Sequence, residues 1–154
     1  MGTRSRIGVM HGDKVKSIYC HWDGYLDFNG RILQEHYDSA RANHLVALGD
    51  MSSLRASIGE KHAFSKHDVP GIEVRVHNDE WCTFYGRDRG EKGVEFKVAQ
   101  TFDEFLEQCD NCGAEYYYIM RDGTWYCGDT YESTPLSKKL TALADALQAQ
   151  TVDQ

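Results

Sequence analysis

Apolar and polar residues alternate along the first part of the chain and predict a β-hairpin there. Residues 4–11 alternate, and residues 14–22 alternate again after the pair Gly12-Asp13. A period of two is typical of a strand with one buried face, and a glycine-containing pair between two such runs favours a tight turn. The chain is therefore expected to open with two antiparallel strands.

A second hairpin is predicted in the last third of the chain. Asp122-Gly123 separates residues 114–121 from residues 124–127, and an Asp-Gly pair suits the positive φ angles of a two-residue hairpin turn. The remaining predicted strands are residues 72–77, 81–85 and 94–99, with mostly loop at 51–71 and a charged, glycine-rich loop at 86–93.

Helical spacing of apolar residues predicts four helices. The second should be capped by Asp38 or Ser39 and stopped by Gly49, and the third should open on a capping box at Thr101. The predicted helices are residues 31–37, 39–48, 101–108 and a terminal helix with Thr134 at its N-cap and Pro135 in its first position, because each begins or ends on a residue that favours that place. The terminal helix should bury a stripe formed by Leu136, Leu140, Leu143 and Leu147.

These elements indicate an α+β fold with a largely antiparallel sheet built from hairpins and with helices packed on one face. Strands come mainly as hairpins, and helices are not interleaved with them one for one, as a parallel sheet would require. We expect a single domain over residues 1–154, which is an ordinary domain length. A homo-oligomer is expected only if the terminal stripe is left exposed in one copy.

Charge is unevenly distributed and limits the partners. The chain carries a net charge of −7, and residues 101–134 hold eight acidic side chains against the single base Arg121. Duplex-binding proteins show a basic patch instead, so we expect no duplex nucleic acid partner. No apolar run approaches the roughly 20 residues of a membrane span, and no leader is evident, so a cytoplasmic protein without a membrane partner is expected.

The five cysteines do not form a complete metal motif. Cys109-x-x-Cys112 is half of a zinc ribbon, but Cys127 has no partner three residues later. A mixed site that recruits Cys20, His21 or Cys127 stays open as an alternative. The expectation is reduced thiols, no metal and no cofactor.

The densest group of chemically useful side chains follows the second strand. His21, Trp22, Asp23 and Tyr25 place three rings and a carboxylate where a strand ends, and such positions often carry function because a rigid scaffold holds them. Rings beside a histidine and an acid could stack a base or a sugar, next to the N-terminus of a helix near Gly30 that would attract an anion. The alternative is structural, with Trp22 and Tyr25 as core anchors.

Part of the sequence resembles a family of small bacteriophage and prophage proteins. The resemblance lies in the opening Gly2-Thr3-Arg4-Ser5, the signature His21-Trp22-Asp23-Gly24-Tyr25, and more loosely the hairpin around Asp122-Gly123. It implies a viral setting and assigns no catalytic residue.

The sequence contains no complete catalytic motif, and we expect no catalytic residues. The leading hypothesis is a non-enzymatic phage accessory protein that acts in the bacterial host, binds a host factor or a nucleotide-like ligand, and counters host defence. One alternative is a small enzyme acting on nucleotides, with His21 and Asp23 as acid and base. Another is an acidic decoy that masks a basic host surface through residues 101–134.

Overall fold

A mixed, mostly antiparallel sheet organises the chain. The computed structural model describes residues 2–65 and 76–152. Within them the strands are β1 (Ser5–His11), β2 (Lys14–Cys20), β3 (Met51–Ser53), β4 (Thr83–Phe84), β5 (Lys97–Ala99), β6 (Tyr116–Arg121), β7 (Thr124–Asp129) and β8 (Thr141–Ala142). Their order across the sheet is β4-β3-β2-β1-β6-β7-β8, and β5 also pairs with β2. Only β1–β6 and β2–β3 run parallel among these pairs, so the predicted α+β class is confirmed.

Two of the helices begin directly after residues whose side chains cap them. The helices are α1 (Arg31–His36), α2 (Ser39–Ala47), α3 (Tyr85–Arg89), α4 (Phe102–Cys112) and α5 (Leu143–Val152), and a π-helical turn, Leu26–Gly30, leads into α1. The Asp38 side chain accepts from the Arg41 N–H, and the Thr101 hydroxyl accepts from the Glu104 N–H. Both are N-cap bonds that satisfy an otherwise unpaired amide, as the sequence predicts.

Alternation along the central strands sorts their side chains onto two apolar cores. Ile7 and Tyr118 face a core shared with α1, α2 and α5. Tyr117 and Ile119 face the opposite side, where Phe105 of α4 covers them. The sheet therefore carries helices on both faces, where the sequence analysis expected them on one.

The two predicted hairpins are confirmed, and several other predictions are corrected. The terminal helix begins at Leu143 rather than after Thr134, although Leu143 and Leu147 are buried within the chain as expected. The predicted strand at 81–85 shortens to β4, while β3 and α3 form where loops were expected. The predicted strand at 72–77 lies largely outside the described residues. No helix in the described part of the chain is long and apolar enough to cross a membrane.

Candidate functional site

Backbone hydrogen bonds hold the aromatic loop after β2, residues 21–25, to the chain segments on both of its sides. Beyond the end of β2, the His21 N–H donates to the Met51 carbonyl at 3.1 Å and the Trp22 N–H to the Ser52 carbonyl at 3.0 Å. The Gly24 N–H donates to the Thr3 carbonyl at 2.7 Å. These bonds fix the backbone at Trp22, and its side chain is therefore attached to a rigid segment.

Asp23 and Gly24 allow the chain to turn at this point. Asp23 has a φ of 57°, which only a few non-glycine residues adopt. A Cβ on Gly24 would lie 2.8 Å from Ser5 Cβ, so that only glycine fits so close to β1. Positive-φ residues of this kind cluster at functional sites.

Trp22 is partly exposed and lines two clefts. Its side chain is 44% exposed. The ring contacts the edge of His21, with the ring centroids 4.7 Å apart. It also lies over Gly2, where an added Cβ would come within 2.7 Å of the indole. Trp22 is therefore not a core anchor, and part of its indole remains accessible to a ligand.

The first cleft, which we call the Thr83 cleft, has a volume of about 300 Å³. Its lining includes Trp22, Asp23, Ser52, Arg55, His77 and Thr83. The parallel pair β2–β3 and the antiparallel pair β3–β4 bring these distant segments together. The lining thus combines hydroxyl-bearing residues from β3 and β4 with an aromatic, an acidic and a basic residue.

The second cleft, which we call the Arg4 cleft, is also lined by Trp22 and measures about 350 Å³. Arg4 and His21 line it. Burial, and to a smaller extent the Arg4 guanidinium, lowers the pKa of His21 below its ordinary value. Burial raises the pKa of Tyr19 to about 12, and the Tyr19 hydroxyl lies 2.7 Å from Nδ1 of His21, within hydrogen-bond distance.

The structure divides the predicted site residues between these places. Trp22 and Asp23 line the Thr83 cleft, whereas His21 lines only the Arg4 cleft of the two. Tyr25 is 40% exposed and borders neither. Arg55 and Thr83 were not identified from the sequence, because no motif marks either residue.

The predicted anion site at a helix N-terminus near Gly30 is corrected. Helix α1 does begin at Arg31 with Gly30 as its N-cap residue, but the π-helical turn leads directly into it and Gly30 is buried. The N–H groups of Phe28 and Gly30 donate to the Tyr25 carbonyl, and that of Asn29 donates to the Asp23 carbonyl. These amides are used within the turn and are not available to an anion.

A larger cleft, about 470 Å³, lies between the end of α1 and the β6–β7 turn. Glu35, Asp38 and Trp125 are among its lining residues. Trp125 is only 4% exposed, and its indole N–H donates to the Tyr37 carbonyl at 2.8 Å. This cleft therefore lacks the exposed stacking face that Trp22 gives to the other two.

All five thiols are free, and four of them are buried. Burial raises the pKa of Cys109 well above its ordinary value, which opposes the thiolate that a metal would need. Within the described ranges, no group of three or more histidine, cysteine or acidic side chains could hold a metal ion. The expectation of a metal-free protein stays a prediction.

Comparison with known proteins finds no match to this chain among family models, curated proteins or solved structures. The resemblance to phage proteins thus stays a prediction that rests on the quoted residues.

Proposed function

We propose that the protein is a non-enzymatic binding protein that holds a nucleotide-like small molecule against the exposed face of Trp22. The observation that carries the proposal is a partly exposed indole, held on a hydrogen-bonded loop, beside clefts of ligand size. Stacking of a base on an aromatic ring is favourable and tolerates any base, because every base has a π-face. A fixed ring also loses little conformational freedom on binding.

The positions of His21 and Asp23 favour binding over catalysis. An enzyme that used the two as acid and base would need both beside one substrate. Asp23 lines the Thr83 cleft and His21 the Arg4 cleft, and Trp22 is the lining residue that the two share. In addition, Nδ1 of His21 already contacts the Tyr19 hydroxyl.

The distribution of acidic residues gives little support to the alternative of an acidic decoy. Asp103, Glu107 and Asp110 lie exposed on α4, whereas Asp122 occupies the β6–β7 turn. Asp129 is buried and accepts from the Thr134 hydroxyl. The acids are thus spread over several surfaces instead of forming one face.

On the resemblance of its opening sequence to small phage proteins, we further propose where the binding takes place. The protein acts in the cytoplasm of an infected bacterial cell, where it sequesters a nucleotide-like molecule that host defence would use. The support for this setting is the resemblance alone.

Isothermal titration calorimetry with the four ribonucleoside monophosphates tests the binding proposal by measuring their dissociation constants. We expect at least one to bind and to be recovered unchanged, and we expect Trp22→Ala to weaken it about 5- to 150-fold, since stacking contributes about 1–3 kcal/mol per base. Tyr25→Ala is the matched control, because Tyr25 is similarly exposed in the same loop but borders neither cleft.

Equal losses in the two variants, or no binding to the wild-type protein, would contradict the proposal. Conversion of the nucleotide to a product would contradict its non-enzymatic part.

A further inference from the structure

The Thr83 cleft contains a polar group whose bonding the protein leaves incomplete. Thr83 is 2% exposed, and its hydroxyl oxygen has no hydrogen-bond partner among the described residues. A buried hydroxyl without a partner costs about 1–3 kcal/mol. Because Thr83 lines the cleft, a molecule bound there could supply the missing bond.

The same cleft contains a cation that no described carboxylate neutralises. The Arg55 guanidinium donates from Nε to the Asp79 carbonyl at 3.1 Å and from Nη1 to the Leu54 carbonyl at 2.8 Å. These bonds position the group and use two of its five N–H donors. The donors that remain suit an anion such as a phosphate.

Trp22 and Asp23 complete a set of complementary groups. The indole offers a stacking face, and a carboxylate can accept hydrogen bonds from the hydroxyls of a ribose. Arg55 and Asp23 give the cleft one charge of each sign. A nucleotide carries a sugar between a base and a phosphate, and these three parts match the indole, the carboxylate and the guanidinium of the cleft.

Resting on the function proposed above, we infer that the Thr83 cleft is the binding site and that its ligand is a ribonucleoside monophosphate. In this assignment the base stacks on Trp22, the ribose hydroxyls bond to Asp23, the phosphate bonds to Arg55, and Thr83 bonds to a polar atom of the ligand. A volume of about 300 Å³ is at the lower end of the range for ligand pockets, so one nucleotide fits better than a dinucleotide.

Titration of ligand fragments into the full chain tests each part of this assignment. Relative to the tightest-binding ribonucleoside monophosphate, we expect its nucleoside, its 2′-deoxy form and ribose 5-phosphate each to bind about tenfold more weakly or worse. Arg55→Gln should remove the advantage of the monophosphate over its nucleoside. It should leave the affinity of the nucleoside itself unchanged.

Thr83→Val is the most discriminating variant, because it should weaken binding without weakening the fold. Valine keeps the branched shape and removes the unpartnered hydroxyl, so the melting temperature should stay the same or rise, while affinity should fall about tenfold. Arg4→Gln, in the Arg4 cleft, is the matched control and should bind like the wild-type protein.

The proposed function and the assignment of the site to the Thr83 cleft would be contradicted by different results. If Trp22→Ala and Arg4→Gln lose binding while Thr83→Val and Arg55→Gln keep it, the site is the Arg4 cleft and this inference is overturned, although the proposed function stands. If no monophosphate binds the wild-type protein, both are overturned.

Discussion

Trp22 and Trp125 differ in what their rings do for the fold. Trp125 is almost fully buried, and its N–H is bonded to the Tyr37 carbonyl, whereas nearly half of Trp22 faces solvent. Trp22→Ala should therefore lower the free energy of unfolding by only about 1 kcal/mol, since its burial is partial. Trp125→Ala should lower it by about 3–5 kcal/mol.

Urea unfolding of the two alanine variants, followed by far-UV circular dichroism, measures this difference. A loss at Trp22 as large as that at Trp125 would show that Trp22 is a core anchor after all.

Asp50 bonds to the backbone of β2 next to the loop, and its contribution to stability depends on pH. Its carboxylate accepts from the Tyr19 N–H at 2.9 Å, and burial raises its pKa above the ordinary value of 3.8. The folded state therefore holds this proton more tightly than the unfolded state, so the contribution of Asp50 to stability falls as pH rises above about 4.

Asp50→Asn keeps an oxygen acceptor for Tyr19 and removes the buried charge. We expect the variant to be more stable than the wild-type protein at pH 7, and the gain to shrink as the pH is lowered toward 4. Thermal melts across this range provide the measurement. A gain that grows toward acid pH would contradict the assigned direction of the pKa shift.

At the scale of elements, the β6–β7 turn adopts the conformation that its Asp-Gly sequence predicts. Asp122 and Gly123 have φ angles of 50° and 80°, the left-handed pair that a type I′ turn requires. Gly123→Ala should lower the free energy of unfolding by about 1–2 kcal/mol, because a Cβ is disfavoured in this conformation.

Nothing lies within 4 Å of the place where that Cβ would be. A loss of stability would therefore come from backbone strain and not from a steric clash. Denaturant midpoints of Gly123→Ala and wild type measure it. An unchanged midpoint would contradict the turn conformation.

Elements that depend on distant partners were the ones that sequence patterns missed. Thr134 has the residue type of an N-cap, but its hydroxyl donates to the buried Asp129 carboxylate, and the helix starts only at Leu143. Likewise α3 forms in a charged, glycine-rich segment because buried Asp88 accepts from the backbone N–H groups of His62 and Phe84. Neither partnership leaves a periodic pattern, whereas the hairpins do.

At the scale of the whole molecule, the candidate site is assembled from segments far apart in the chain. Trp22 and Asp23 follow β2, Arg55 follows β3, and Thr83 lies on β4. The first two residues could be identified from the sequence, because rings and an acid are concentrated after one strand. Arg55 and Thr83 could not be identified in this way, because sheet pairing alone brings them to the same cleft.

The side-chain N–H signals of the three tryptophans give the most direct test of ligand binding at Trp22. In a ¹H–¹⁵N spectrum, the Trp22→Phe variant assigns the Trp22 signal by its loss. Saturation with the tightest-binding ribonucleoside monophosphate should then shift the Trp22 signal and leave the buried Trp125 signal in place. A Trp22 signal that does not move at a saturating concentration, or one that moves no more than that of Trp125, would contradict binding at this ring.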